Sequence, residues 1–186
     1  LEFRRVLFRS ANAFDLAHFE YIHHRRPTEA PKMELIHPEA MKLELHYEIQ
    51  GQALADRWLV RRYGKTAQLN YTVWNGNLIL AETKVGTFTN RMLICVHPET
   101  FGFSAKLFVL TTDANFLSRE LAAHFSKLFF ERECLELRGI AIDPERLGPH
   151  DALIGQYMNW LLQMSRENEL ASPGSLTTKW ESNPTA

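Results

Sequence analysis

The sequence predicts an α+β fold in which a curved antiparallel sheet is followed by long C-terminal helices. Three observations lead to this prediction. A short histidine-bearing segment with helical character, residues 12–24, comes before the first strand. Between residues 41 and 112, short runs of alternating apolar and polar residues are separated by turn residues, as in antiparallel strands. From Phe116 onward the apolar residues recur at intervals of three and four, which is typical of one face of an α-helix.

About five strands are predicted. The clearest covers residues 41–50, and its inward-facing set is Leu43, Leu45, Tyr47 and Ile49. The dipeptide Asn75-Gly76 is a strong hairpin signal. It joins a strand over residues 66–74 to one over residues 77–84. The remaining two strands are predicted over residues 90–97 and 102–112, and residues 58–62 form either a short strand or a connector.

Two helices complete the predicted fold. The first runs from about residue 115 to residue 135, and its apolar stripe is Leu117, Leu121, Phe125, Leu128 and Phe129. Asp143-Pro144 offers an N-cap and a first helical residue ahead of the second helix. That helix covers about residues 150–166, and its stripe is Leu153, Ile154, Tyr157, Trp160 and Leu161. Residues 171–186 are rich in Ser, Thr and Pro and are expected to be a loose tail.

The totals restrict the class of protein without assigning a function. The 186 residues suit one domain, with 45% hydrophobic and 23% charged residues. The net charge is −1 and no basic run occurs, so a nucleic-acid partner is not expected. No apolar run approaches membrane-spanning length, so a membrane partner is not expected either. Two cysteines, Cys95 and Cys134, give no disulfide framework and favour a cytoplasmic location.

The first ten residues differ in character from the rest. They contain no initiating Met, and Leu1-Glu2-Phe3 resembles a translated cloning or adaptor scar. We therefore expect residues 1–10 to be a non-native leader and the natural chain to be cut just ahead of the histidine-bearing segment.

That segment holds three side chains that can bind a metal, namely Asp15, His18 and His23, among apolar residues. Asp15 and His18 are three residues apart and share a helical face. His18 and His23 are five apart, about 140° around an ideal helix, so they converge only if the helix widens or ends near His23. An iron site of two His and one carboxylate is one interpretation. The alternative is an amphipathic helix whose histidines are satisfied by hydrogen bonds in the core. A zinc hydrolase is weakly supported, because the peptidase spacing with its Glu is absent.

The pattern Asn12-x2-Asp15-x2-His18-x4-His23 resembles the mononuclear-iron motif of the Rieske-type non-haem iron oxygenases, the ring-hydroxylating α subunits. The resemblance implies that His18 and His23 bind Fe(II). It also implies that Asp15 is the carboxylate that bridges the route of electron transfer between subunits, and that Asn12 supports the ligands without binding the iron. It further implies a helix-grip (START-like) catalytic domain over residues 11–170.

The third ligand implied by the resemblance is an Asp near the start of a late helix. Asp151 lies at that place, followed by Ile154 and Gln156 as in the family. The alternative is that Asp151 only offsets the dipole of the helix in its first turn. Asp143 is a second candidate ligand, and His150 is a weaker one.

The sequence departs from the family at the cluster. A Rieske [2Fe-2S] cluster takes two Cys and two His, which the family supplies as Cys-x-His and Cys-x2-His pairs. Only Cys95-Val96-His97 has either spacing, and it falls in a predicted strand. The cluster is therefore expected on a Rieske domain that is missing from this chain. The family further implies ferredoxin or reductase electron donors and a trimer in the full-length protein.

The function implied is O2-dependent hydroxylation, or oxidative demethylation, of an apolar aromatic or alicyclic substrate at the Fe(II). We expect this chain to bind iron yet not to turn over alone. The alternative is a helix-grip module that binds a hydrophobic ligand without metal. Residues that contact the substrate are not predicted, because they depend on strand register.

Overall fold

The computed structural model describes residues 11–51, 53–99, 102–111, 116–136, 147–148 and 151–171. A 3-10 turn over Ala11–Phe14 comes first. The helices are α1 (Leu16–Tyr21), α2 (Leu54–Tyr63), α3 (Phe116–Glu136) and α4 (Ala152–Ala171). The strands are β1 (Arg25–Pro27), β2 (Lys32–His37), β3 (Ala40–Ile49), β4 (Thr66–Trp74), β5 (Leu78–Val85), β6 (Phe88–Glu99) and β7 (Gly102–Thr111). The predicted leader and the tail beyond Ala171 lie outside the described residues.

The seven strands form one curved antiparallel sheet, in the order β1-β3-β4-β5-β6-β7. β2 also pairs with β3, so β1 and β2 share one edge of that strand: Arg25 faces Ile49 at one end and Leu35 faces Met41 at the other. From β3 onward each strand pairs with the next in sequence. The predicted α+β class, with a meander sheet and two long C-terminal helices, is confirmed.

Local chemistry accounts for the best-predicted elements. The four inward residues predicted for β3 are all buried, because period-two alternation puts them on one face of the sheet. At the β4–β5 hairpin Asn75 and Gly76 have φ of 49° and 70°. Two consecutive positive φ angles define a type I′ turn, which follows the right-handed twist of its strands.

Three elements were not predicted. β1 and β2 fall between the histidine-bearing segment and residue 41, where no strand was predicted. Pro27 is tolerated there because β1 is a three-residue strand at the edge of the sheet. Of the two alternatives for residues 58–62, the short strand was wrong, because this stretch belongs to α2, the helix that connects β3 to β4. Gly64 ends that helix with φ of 98°, and its N–H donates to the carbonyl of Val60.

Helices α3 and α4 both lie over the sheet, and they pack differently. The stripe predicted for α4 is confirmed: Tyr157 stacks on Phe14 with ring centroids 4.1 Å apart, and Trp160 Nε1 donates to the carbonyl of Pro38 at 2.9 Å. The stripe predicted for α3 was partly wrong. Among its described side chains, the buried ones are Ala122 and Ser126, whereas Leu128 is 47% exposed. None of the helices in the described ranges is long and apolar enough to cross a membrane.

Candidate metal centre and adjoining cavity

The two histidines meet because α1 is short. Asp15 caps the helix, accepting a hydrogen bond from the backbone N–H of His18 at 2.9 Å. The helix ends at Tyr21, two residues before His23, so the chain is free to turn the second ring toward the first. The Nε2 atoms of His18 and His23 lie 3.0 Å apart.

The chain turns sharply just after His23. His24 has φ of 53°, a left-handed conformation that costs a non-glycine residue on the order of 1–3 kcal/mol. The turn is held by the backbone N–H of Gln50, which donates to the carbonyl of His24 at 2.9 Å. His23 itself is 9% exposed, so its ring is presented from a buried, constrained position.

Glu133, near the end of α3, completes the cluster. Its Oε1 lies 2.5 Å from Nε2 of His23 and 3.5 Å from Nε2 of His18. Burial raises the pKa of Glu133, but hydrogen bonds and charge from the two histidines outweigh it and lower the pKa to about 2. Sequence reasoning missed Glu133. A signal was present, since it continues the four-residue spacing of Leu121, Phe125 and Phe129 and so places a carboxylate on an apolar stripe.

The donor set fits a divalent transition-metal ion. One ligand atom from each of His18, His23 and Glu133 lies within 4.8 Å of the other two. Imidazole nitrogen and carboxylate oxygen are ligands of iron and zinc. Two metal–nitrogen bonds of about 2.1 Å at a right angle separate the nitrogens by about 3.0 Å, which is the spacing of the two Nε2 atoms. The cluster can also form without metal, if a proton lies between an imidazole and the carboxylate.

The other predicted site residues lie as follows. Asp151 precedes α4, and its carboxylate accepts a hydrogen bond from the N–H of Gly148 at 2.8 Å. It does not belong to the cluster that brings His18 and His23 together. Asn12 falls in the 3-10 turn, but its side chain lies outside the described part, as do Asp143 and His150.

A cavity of about 870 Å³ opens beside the cluster, between the concave face of the sheet and helices α2 and α3. This volume lies within the usual range for small-molecule sites. His18, His23 and Glu133 are part of its wall. The rest of the wall is mainly apolar and includes Trp58, Ile79, Ala81, Val85, Phe88, Ile94 and Phe125.

A polar pair from β6 and α3 lies in the cavity wall. Asn90 on β6 donates from Nδ2 to Ser126 Oγ on α3 at 3.0 Å. The Oδ1 of Asn90 is buried without a hydrogen-bond partner in the described structure. The same is true of Oγ1 of Thr111, the residue of β7 that pairs with Asn90. Buried polar atoms without partners are uncommon and destabilising.

The fold is shared with a solved monooxygenase structure. A dicamba monooxygenase bound to 3,6-dichlorosalicylic acid matches with a TM-score of 0.55 and 10% identity, over 88% of this chain and 56% of that one. A dicamba monooxygenase bound to dicamba matches with a TM-score of 0.49 and 12% identity, over 91% of this chain and 57% of that one. This chain therefore spans little more than half the length of these neighbours. No protein-family model and no curated protein matches the sequence.

Proposed function

We propose that this chain is the mononuclear-iron catalytic domain of a Rieske-type oxygenase. The observation that carries the proposal is the convergence of two imidazoles and a buried carboxylate at the wall of an apolar cavity. The fold shared with a dicamba monooxygenase supports it, and so does the spacing of Asp15, His18 and His23. The substrate class is a small apolar compound, because the wall offers mainly hydrocarbon surface.

In this proposal His18, His23 and a carboxylate hold Fe(II), which supplies the activation of O2 when it is bound. Glu133 is the carboxylate that the distances favour. Asp151 is the carboxylate that the resemblance to the family favours. The cavity wall orients the substrate against the cluster and keeps bulk water from it.

Asp15 is proposed to bridge the route by which electrons arrive from a [2Fe-2S] cluster on a neighbouring subunit of a trimer. Its bond to the N–H of His18 ties the carboxylate to the backbone of one proposed ligand. The 186 residues hold no Rieske ligand set, so the cluster and the ferredoxin or reductase must come from other polypeptide. We expect no steady product formation from this chain supplied only with NADH and a reductase.

The test is anaerobic Fe(II) titration of the parent chain and of single-site variants. We expect one iron per chain in the parent and in Asp151→Asn, and loss of binding in His18→Ala, His23→Ala and Glu133→Gln. His46→Ala is the matched control, because His46 contacts Glu44 at 3.2 Å, away from the cavity. Loss of iron in Asp151→Asn, with retention in Glu133→Gln, would instead assign the third ligand to Asp151.

A second candidate is a hydrophobic-ligand-binding module without metal. The size and apolar wall of the cavity favour it, and the His–His–Glu cluster can satisfy its own hydrogen bonds. Absence of iron in the parent, together with saturable binding of biphenyl measured by calorimetry, would favour this candidate over the oxygenase.

A further inference from the structure

Arg25 links the backbone of His23 to helix α2. Its Nη1 donates to the carbonyl of His23 at 2.9 Å. Its Nη2 makes a short hydrogen bond to Oδ1 of Asp56, in the first turn of α2. One planar guanidinium therefore holds two groups from separate elements in a fixed relation.

The Arg25–Asp56 pair is buried, which makes its geometry restrictive. The two side chains are 15% and 9% exposed. A carboxylate with so little access to water needs its cationic partner, so neither group can move far from the other. Burial also raises the pKa of the nearby Tyr47 hydroxyl, and the charge of Arg25, with hydrogen bonds to Thr83 and Arg25, partly offsets this rise.

The backbone around the pair is fitted closely to it. A Cβ atom on Gly51 would lie 1.8 Å from Oδ2 of Asp56 and 3.3 Å from Nη1 of Arg25. Only glycine leaves room for the carboxylate at this point. Gly51 follows Gln50, whose N–H holds the carbonyl of His24, so the same short stretch supports both the pair and the left-handed turn.

These contacts act on the backbone of His23, next to a residue in a left-handed conformation. Between His23 and Arg25 the chain passes through the left-handed His24. If the carbonyl of His23 were released, the peptide could rotate and carry the ring away from His18 and Glu133. Arg25 and Asp56 also line the cavity, so the pair connects its α2 wall to the cluster.

We propose that Arg25, braced by Asp56, is a positioning residue that fixes the His23 ring for metal binding. The proposal rests on the metal site put forward above. Removing a group that hydrogen-bonds to a metal ligand and orients it typically weakens metal binding roughly 10- to 100-fold.

The first test is Co(II) titration of the parent, Arg25→Gln, Arg25→Lys and Asp56→Asn, with the thermal midpoint recorded for each. Arg91→Gln is the control, because Arg91 makes a comparable short contact to Glu82 across β5 and β6, outside the cavity wall. We expect roughly 10- to 100-fold weaker binding in Arg25→Gln and Asp56→Asn. We expect unchanged binding in Arg91→Gln and an intermediate loss in Arg25→Lys, which keeps the charge without the planar fork.

The second test needs no metal and requires only that the variants fold. Imidazole ¹H–¹⁵N correlations of the metal-free chain report the environment of each ring. We expect the His23 correlation to shift in Arg25→Gln and to stay in place in Arg91→Gln. An unmoved His23 correlation would overturn the positioning role, as would equal Co(II) affinity in the parent and Arg25→Gln. Failure of the parent to bind Co(II) would refute the metal site, and the ring correlations would still decide the role of Arg25.

Discussion

The concave face of the sheet is filled at one part and hollow at another, although the same strands supply both. We call the part around Phe14, Ile154, Tyr157 and Leu161 the packed region and the part around the cavity the hollow region. In the packed region Phe14 stacks on Tyr157 and meets Tyr71 edge-on at 5.8 Å. In the hollow region comparable strand residues face about 870 Å³ of open space.

The difference lies in what the covering helices offer. α4 turns large side chains inward, including Tyr157 and Trp160, and these fill the space against the sheet. α3 buries Ala122 and Ser126 instead and directs Glu133 to the histidines. The most buried positions in the described part of α3 are therefore small, and the space between this helix and the strands stays open, although Phe125 also lines it.

The largest expected contrast comes from one substitution made in both regions. Ile154 in the packed region and Ile79 in the hollow region are each 4% exposed. We expect Ile154→Ala to lower the free energy of unfolding by about 3–4 kcal/mol, because it opens a new void among close contacts. Ile79→Ala should cost about 2 kcal/mol, because the side chain already faces open space on one side. Chemical denaturation of both variants measures the difference, and equal losses would mean that the cavity closes in solution.

The next contrast is made by enlarging a side chain. Ala81 lines the cavity, whereas Ala67 is 3% exposed and lies in the core outside its wall. We expect Ala67→Leu to cost about 1–3 kcal/mol through overpacking. Ala81→Leu should leave the free energy of unfolding within about 0.5 kcal/mol of the parent, and should weaken the binding of biphenyl in calorimetry. A large loss of stability in Ala81→Leu would contradict the open volume beside it.

The buried faces of β3 and α4 were predictable from the sequence. Period-two alternation identified the inward face of β3, and the 3.6-residue stripe identified the buried side of α4. Both signals work because each apolar residue there contacts the core. The stripe of α3 misled because a helix that covers a cavity leaves residues such as Leu128 partly exposed.

The site was predictable where its parts are close in sequence. His18 and His23 were found from their spacing, and the end of α1 before His23 is the condition that this spacing required. Glu133 is 110 residues after His23, and only the tertiary fold brings the two within 2.5 Å. The proposed role of Arg25 depends on Asp56, which belongs to a helix that the sequence did not reveal.

The smallest expected effect concerns the hydrogen-bonded pair of Asn90 and Ser126 in the hollow region. Ser126 Oγ accepts from Asn90 Nδ2, while Asn90 Oδ1 is already without a partner in the described structure. We expect Ser126→Ala to cost about 1 kcal/mol, because it deprives a buried amide of its hydrogen bond. The double variant Asn90→Leu/Ser126→Ala should regain most of that loss, since an apolar pair leaves no amide atom unsatisfied. Denaturation of the two single variants and the double variant forms a complete cycle. Additive losses would instead mean that the amide oxygen gains a partner in solution, and a water or ligand in the cavity would then be the group to seek.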